Sequence, residues 1–290
     1  MKYLNKTLAS LLLLTAILFV GCNTEQEGAI YKADEQSFSF GTSALADQVV
    51  TVGKPDFTVD LYRAKLGEPA SGNIALFAYK LASDGKTKIP QEGYSVSNYN
   101  FDADSGIAQV TVNAEPLAVG DHVKIELTVE TDGVALSGST VATMSVTKDY
   151  SWKPIGTGVW KDGIVCSLFG VPVGVTWEVE VEEAVELSGM YRVINPYGYG
   201  KCPWVEESEV TIDPCYVKIN ASNPDKVSLA NQKLGFAWDY GEFMAGSTQN
   251  VGYPGDFGTK VGKDIDFGAL FVAMGGDIYT ITAGGGLTLP

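Results

Sequence analysis

Apolar and polar residues alternate with period two along most of this chain, the spacing of β-strands with one buried and one wet face. In Asp56 to Tyr62, Phe57, Val59 and Leu61 share a side. In His122 to Glu130, Val123, Ile125, Leu127 and Val129 point one way and His122, Lys124, Glu126 and Thr128 the other. Ala142, Met144 and Val146 repeat the pattern. Asp84-Gly85, Asp104-Ser105-Gly106 and Thr131-Asp132-Gly133 lie between these runs and suit tight turns. Residues 29–148 therefore predict a β-sandwich of six to eight short strands.

The rhythm pauses at Lys148-Asp149-Tyr150-Ser151-Trp152-Lys153-Pro154, which marks a seam. All five tryptophans, Trp152, Trp160, Trp177, Trp204 and Trp238, lie beyond it. The clearest strand there is Val173 to Glu182, with Val173, Val175, Trp177, Val179 and Val181 on one face and Thr176, Glu178, Glu180 and Glu182 on the other. Met190 to Ile194 follows a turn at Ser188-Gly189 and completes a hairpin. Tyr216 to Asn220, Lys226 to Leu229, Leu234 to Trp238, Ala269 to Met274 and Ile278 to Thr282 read as further strands. The expectation is an all-β protein whose second part, residues 152–290, is an antiparallel β-sandwich or barrel.

One segment does not alternate. Leu11 to Val20 is an almost unbroken apolar run behind Lys2 and Lys6, too short to span a bilayer comfortably but fitted to the core of a secretory signal. It ends at Gly21-Cys22, which resembles a lipobox. Residues 1–21 are thus expected to be a lipoprotein signal peptide, Cys22 the lipidated residue, and residues 22–28 a short polar tether. Attachment by several acyl chains would hold the protein at a membrane. The acidic residues Glu25 and Glu27 behind Cys22 resemble a surface-export signal and favour an outer-membrane, cell-surface location.

Charge narrows the partners. The net charge of −15 repels phosphate backbones and argues against a nucleic-acid role. Export permits disulfides. With Cys22 committed to lipid, Cys202 and Cys215 flank a segment that could close a hairpin, while Cys166, inside Gly163 to Phe169, reads as a buried strand residue; three reduced thiols are the equal alternative.

The second part carries a resemblance. Gly156-Thr157-Gly158-Val159-Trp160, Trp177 to Glu183, Gly189 to Gly198, Ile219 to Val227 and Trp238-Asp239-Tyr240-Gly241 resemble, in consistent order, a recurring C-terminal domain of uncharacterised Bacteroidetes surface lipoproteins. The first part is similar, more loosely, to the immunoglobulin-like or Calx-β domains that precede it in such proteins. The resemblance implies fold, division and location, and no established activity.

Catalytic signals are missing. The single histidine, His122, sits on the polar face of a regular strand, and no nucleophile elbow, zinc motif or phosphate loop accompanies it. Glu178, Glu180 and Glu182 read as a solvated strand face. Asp102-Ala103-Asp104-Ser105-Gly106 has oxygen donors at alternate positions, as partial calcium loops do, but also forms an ordinary turn, so no metal or cofactor is expected. The sharper candidate is aromatic. Tyr197, Tyr199 and Trp204 lie in a loop rich in glycine and proline, from Asn195 to Trp204, where flat rings beside amides and carboxylates suit a sugar ligand; the alternative is that they plug the end of the fold. The chain is expected to be a non-enzymatic binding lipoprotein for a glycan or other extracellular ligand, or else a structural or adhesive protein with a host or cell-envelope protein partner.

Overall fold

The computed structural model describes residues 36–130, 138–169, 174–282 and 284–290. Cys22, the signal segment, the tether and the turn at Thr131-Asp132-Gly133 lie outside the described residues. Within them the protein is nearly all β.

In the first half two sheets face each other. One runs in the order Phe38–Ser39, Asp56–Arg63, Ile107–Asn113, Ser95–Val96. The other runs Gln48–Val50, Val141–Lys148, His122–Val129, Ile74–Leu81, Lys88–Gln91. Neighbours are antiparallel except Gln48–Val50, which runs parallel to Val141–Lys148. The alternation fixes the register: Val59 faces Val110 and Leu61 faces Ala108 in one sheet, while Ile125 lies between Met144 and Ala78 in the other. A one-residue slip would turn each of these side chains to solvent. Phe40, Leu61, Val110, Ile125 and Leu127 are fully buried between the sheets. Strands of two to four residues bring the described total in this half to eleven, more than the six to eight expected, because such pieces are too short to show a period.

The second half is built on an eight-stranded antiparallel sheet: Ser228–Leu229, Tyr216–Asn220, Met190–Ile194, Thr176–Ala184, Trp152–Asp162, Gly285–Thr288, Asp264–Gly268, Phe257–Val261. Its edges meet at a bridge, where Val227 and Gly258 exchange N–H···O bonds of 2.9 and 3.0 Å, so the sheet closes toward a barrel. Closure removes exposed backbone edges. Gly258 also lets its strand lie close against Asp264–Gly268, since a Cβ there would lie 2.0 Å from the Asp266 carbonyl oxygen. A four-stranded sheet, Gln232–Trp238, Gly241–Ser247, Leu270–Met274 and Asp277–Ile281, packs on the same core. Trp160, Phe236, Phe243 and Phe267 are its largest buried rings along with Tyr197.

Gly163 to Phe169 is not the expected strand. Val165–Phe169 is a short helix. The buried Asp162 carboxylate accepts from the backbone N–H groups of Ile164 (3.1 Å), Val165 (3.3 Å) and Cys166 (2.9 Å), as a helix-capping side chain does. Apolar composition alone does not separate a short buried helix from a buried strand.

The seam is a tied one. Lys148 is buried and donates to the Glu115 carbonyl at 2.9 Å. Asp149 N–H donates to Val50 O (2.8 Å), and its carboxylate accepts from Lys218 Nζ (2.8 Å). Ser151 N–H donates to Glu186 Oε2 at 2.9 Å. These bonds reach from the connecting residues into both halves.

Candidate functional site

The aromatic loop turns mostly inward. Asn195 adopts φ 51°, in the left-handed region, and ties the loop down: its Oδ1 accepts from Cys215 N–H at 2.5 Å and its Nδ2 donates to Asp213 Oδ1 at 2.8 Å. Tyr197 then enters the core. It is 1% exposed and packs against Trp160, Trp177 and Phe236 at centroid distances of 5.8, 6.1 and 5.2 Å. Its hydroxyl donates to Asp162 Oδ1 at 2.6 Å. Burial, then the adjacent Asp162 carboxylate, hold the phenol well above its ordinary pKa, so it stays a donor. Trp177 Nε1 donates to Pro196 O at 2.7 Å, and Trp204 lies edge-on to Trp177 at 5.9 Å, half-buried. Of the three expected ligand rings, Tyr197 is therefore packing, Trp204 covers the core, and Tyr199 alone is exposed, at 62%.

Of the two alternatives for the cysteines, a Cys202–Cys215 bridge or three reduced thiols, the structure has the second. Cys166, Cys202 and Cys215 are free and buried. Cys202 N–H donates to Gly198 O at 3.1 Å within the loop, whereas Cys215 Sγ faces Lys233 O at 3.6 Å and lies beside Gly235. The loop turns Cys202 toward the Tyr197 side of the core. Burial, the leading cause in each case, pushes the thiols up, to about 11 for Cys166, about 12 for Cys202 and about 11 for Cys215.

His122, Glu178 and Glu180 are exposed on strand faces, and Glu182 pairs with Arg192. Arg192 also lies over Trp152 and Tyr216, 4.7 and 4.1 Å from their ring centroids. That face is a self-satisfied cross-strand ladder. Among the described residues no group of three or more His, Cys, Asp or Glu could hold a metal ion.

A cleft elsewhere combines exposed rings with acids. The hairpin Gln232–Trp238/Gly241–Ser247 pairs Trp238 with Gly241, which leaves Asp239-Tyr240 as a two-residue turn. Asp239 and Tyr240 keep negative φ and Gly241 takes φ 103°, the pattern of a type I turn closed by a glycine bulge. The neighbouring turn at Gly275 presses close, and a Cβ on Gly275 would lie 2.5 Å from Tyr240 O. Asp239 and Tyr240 thus stand on a rigid tip. With Ser208, Glu209, Ala237 and Trp238 they line an open cleft of about 590 Å³. Tyr240 is 61% exposed. Trp238 is half-buried, its inner edge fixed by Phe236 at 5.5 Å and Phe243 at 5.2 Å. Glu209 is positioned by the short 3₁₀ turn Glu207–Glu209, where Glu206 N–H donates to its Oε2 at 2.7 Å. Glu242, next along the hairpin, is neutralised by Lys233 at 2.7 Å. The volume suits a small ligand, and a rigid ring beside hydroxyl and carboxylate groups can stack on an apolar ligand face while taking its polar edge. Sequence reasoning passed over this site, although Trp238-Asp239-Tyr240-Gly241 carries the turn signal that builds it.

No family model matches the sequence, and no curated protein matches it. Solved structures similar to part of it include the calcium binding domain CBD12 of CALX1.1, at 12% identity and a TM-score of 0.26 over 55% of this chain and 79% of that one. CBD12 from CALX1.2 matches at 14% identity and a TM-score of 0.25, over 54% and 78%. Likenesses this slight carry no residue-level or functional argument.

Proposed function

We propose that this chain is a non-enzymatic binding lipoprotein, attached to the outer membrane through Cys22 and exposed at the cell surface, in which residues 29–148 form a supporting module and residues 152–290 present the ligand site. The observation that carries the reading is the cleft at the hairpin tip, where Tyr240 and Trp238 stand beside Asp239, Glu209 and Ser208. A glycan is the ligand class that this chemistry fits, with the rings taking an apolar sugar face and the carboxylates its hydroxyls. The acidic cleft and the net charge of −15 favour neutral or amino sugars over uronic or sulfated ones. The anchor rests on the apolar run that ends at Gly21-Cys22, and acyl labelling lost in Cys22→Ser tests it. The ligand site is tested on a glycan array: wild type binds neutral glycans and Trp238→Ala does not. An array on which wild type binds nothing removes the glycan reading.

One observation favours the adhesive alternative. Asp277–Ile281 is an edge strand whose residues Asp277 to Thr280 are all exposed, including Ile278 and Tyr279. Such an edge can accept a strand from a protein partner. Capture of a host or envelope protein that is lost when Tyr279 is replaced by proline, with no glycan binding, would favour that role.

A further inference from the structure

Arg63 ends the strand Asp56–Arg63 at one extremity of the first half, and its side chain is buried, 8% exposed. The guanidinium does not meet a carboxylate. It meets four main-chain carbonyl oxygens from two loops. Nε donates to Ser105 O at 2.7 Å, Nη1 to Glu68 O at 2.6 Å, and Nη2 to Asp102 O at 2.5 Å and Ala103 O at 2.6 Å. The Phe101 ring lies 5.1 Å from Cζ and covers the group. The backbone closes around it as well: Arg63 N–H donates to Gly106 O at 3.0 Å and Gly67 N–H to Ala103 O at 2.8 Å. The carboxylate-bearing residues Glu68, Asp102 and Asp104 are exposed around this ring of oxygens.

Carbonyl oxygens repel one another when they converge, so a ring of four needs a positive charge at its centre. Calcium sites supply that charge with a metal ion held by main-chain and carboxylate oxygens. Here the charge comes from the chain. We infer that the carbonyls of Glu68, Asp102, Ala103 and Ser105 form a cation-binding nest whose occupant is the protein's own Arg63. Asp102-Ala103-Asp104-Ser105-Gly106 has the alternating oxygens of a metal loop, and its inward-facing oxygens are already taken. This end of the molecule is accordingly held without a metal ion, and its order is indifferent to the calcium content of the surroundings.

Thermal melts of the full chain in detergent test this. The wild-type midpoint is expected to be the same in millimolar calcium as in excess chelator. Arg63→Ala is expected to lower it by about 5 °C. Calcium or methylguanidinium should then restore part of the loss, and urea, the neutral molecule of similar shape, should not. A wild-type midpoint that rises with calcium overturns the inference. So does an Arg63→Ala protein that melts like wild type, that no cation restores, or that urea restores equally. If Arg63→Ala does not fold, Arg63→Lys and Arg63→Gln decide. Lysine keeps the charge and should melt clearly above glutamine; equal midpoints would show that the oxygens need donors and no cation.

Discussion

Arg63 and Lys148 are the buried charged side chains of the first half among the described residues, and both are cations: Arg63 is held by four main-chain carbonyl oxygens, Lys148 by the Glu115 carbonyl oxygen and, at 3.6 Å, the Glu115 carboxylate. In the second half the buried charge is an anion, Asp162, held by three main-chain N–H groups and the Tyr197 hydroxyl. Each sits at or near the end of a long strand, where the chain leaves the ladder and its backbone groups lose their sheet partners. Arg63 gathers the carbonyls of two loops; Asp162 gathers the amides of a turn that starts a helix. In both halves a buried charge substitutes for the backbone pairing that β structure cannot continue. The difference matters for function. The anion also draws in Tyr197, which converts a loop with the composition of a binding surface into part of the core.

The largest effect should come from breaking that attachment. Tyr197→Ala removes a fully buried ring and should lower stability by about 3–5 kcal/mol in chemical denaturation. Asp162→Ala should cost a similar amount, about 3–5 kcal/mol, because it strands buried donors that no water reaches. Tyr197→Phe separates the two contributions: it keeps the ring and should lose only about 1–3 kcal/mol, the worth of a hydrogen bond to a charged group. Equal losses for Phe and Ala would mean that the hydroxyl matters more than the packing. On the other side of the comparison, Arg63→Ala should cost about 1–3 kcal/mol, less than Asp162→Ala, since a solution cation can enter the loops near the surface and take the place of the guanidinium. A reversed order would undo the contrast between the halves.

Smaller effects follow from the thiols. Cys166, Cys202 and Cys215 have folded pKa values raised above the ordinary 9.0, to about 11, about 12 and about 11. The stability they contribute is fully present below pH 9 and is lost as pH rises from there through the folded values. At pH 8 the folded chain should therefore resist iodoacetamide at all three positions, while unfolding exposes them. Rapid labelling of Cys202 in the folded chain would place it nearer solvent than its packing allows. The smallest effect belongs to Tyr199→Ala, expected to stay within about 0.5 kcal/mol of wild type, because the ring is 62% exposed.

The strands with strict alternation were legible from sequence. Val123, Ile125, Leu127 and Val129 are all buried, as their spacing requires. Closure of the eight-stranded sheet was not, because it depends on pairing Trp152–Asp162 with Gly285–Thr288 and on the bridge from Val227 to Gly258, contacts far apart in the chain. Nor was the helix Val165–Phe169, since its apolar residues suit a buried strand equally and only the position of the Asp162 carboxylate decides. The loop at Asn195 to Trp204 left binding and packing both open for a related reason. Glycine and proline report a turn in the chain and say nothing about which way the tyrosine between them points. Arg63 gave no signal, because a strand-end arginine ordinarily faces water.

The division between packing rings and ligand rings is tested most directly by affinity electrophoresis of the full chain through gels containing a neutral polysaccharide that retards it. Wild type and Tyr199→Ala should be retarded equally, and Tyr240→Ala should run as though the polysaccharide were absent while melting like wild type. Retardation of Tyr240→Ala equal to wild type, or its loss in Tyr199→Ala, would contradict the account and return the ligand site to the loop.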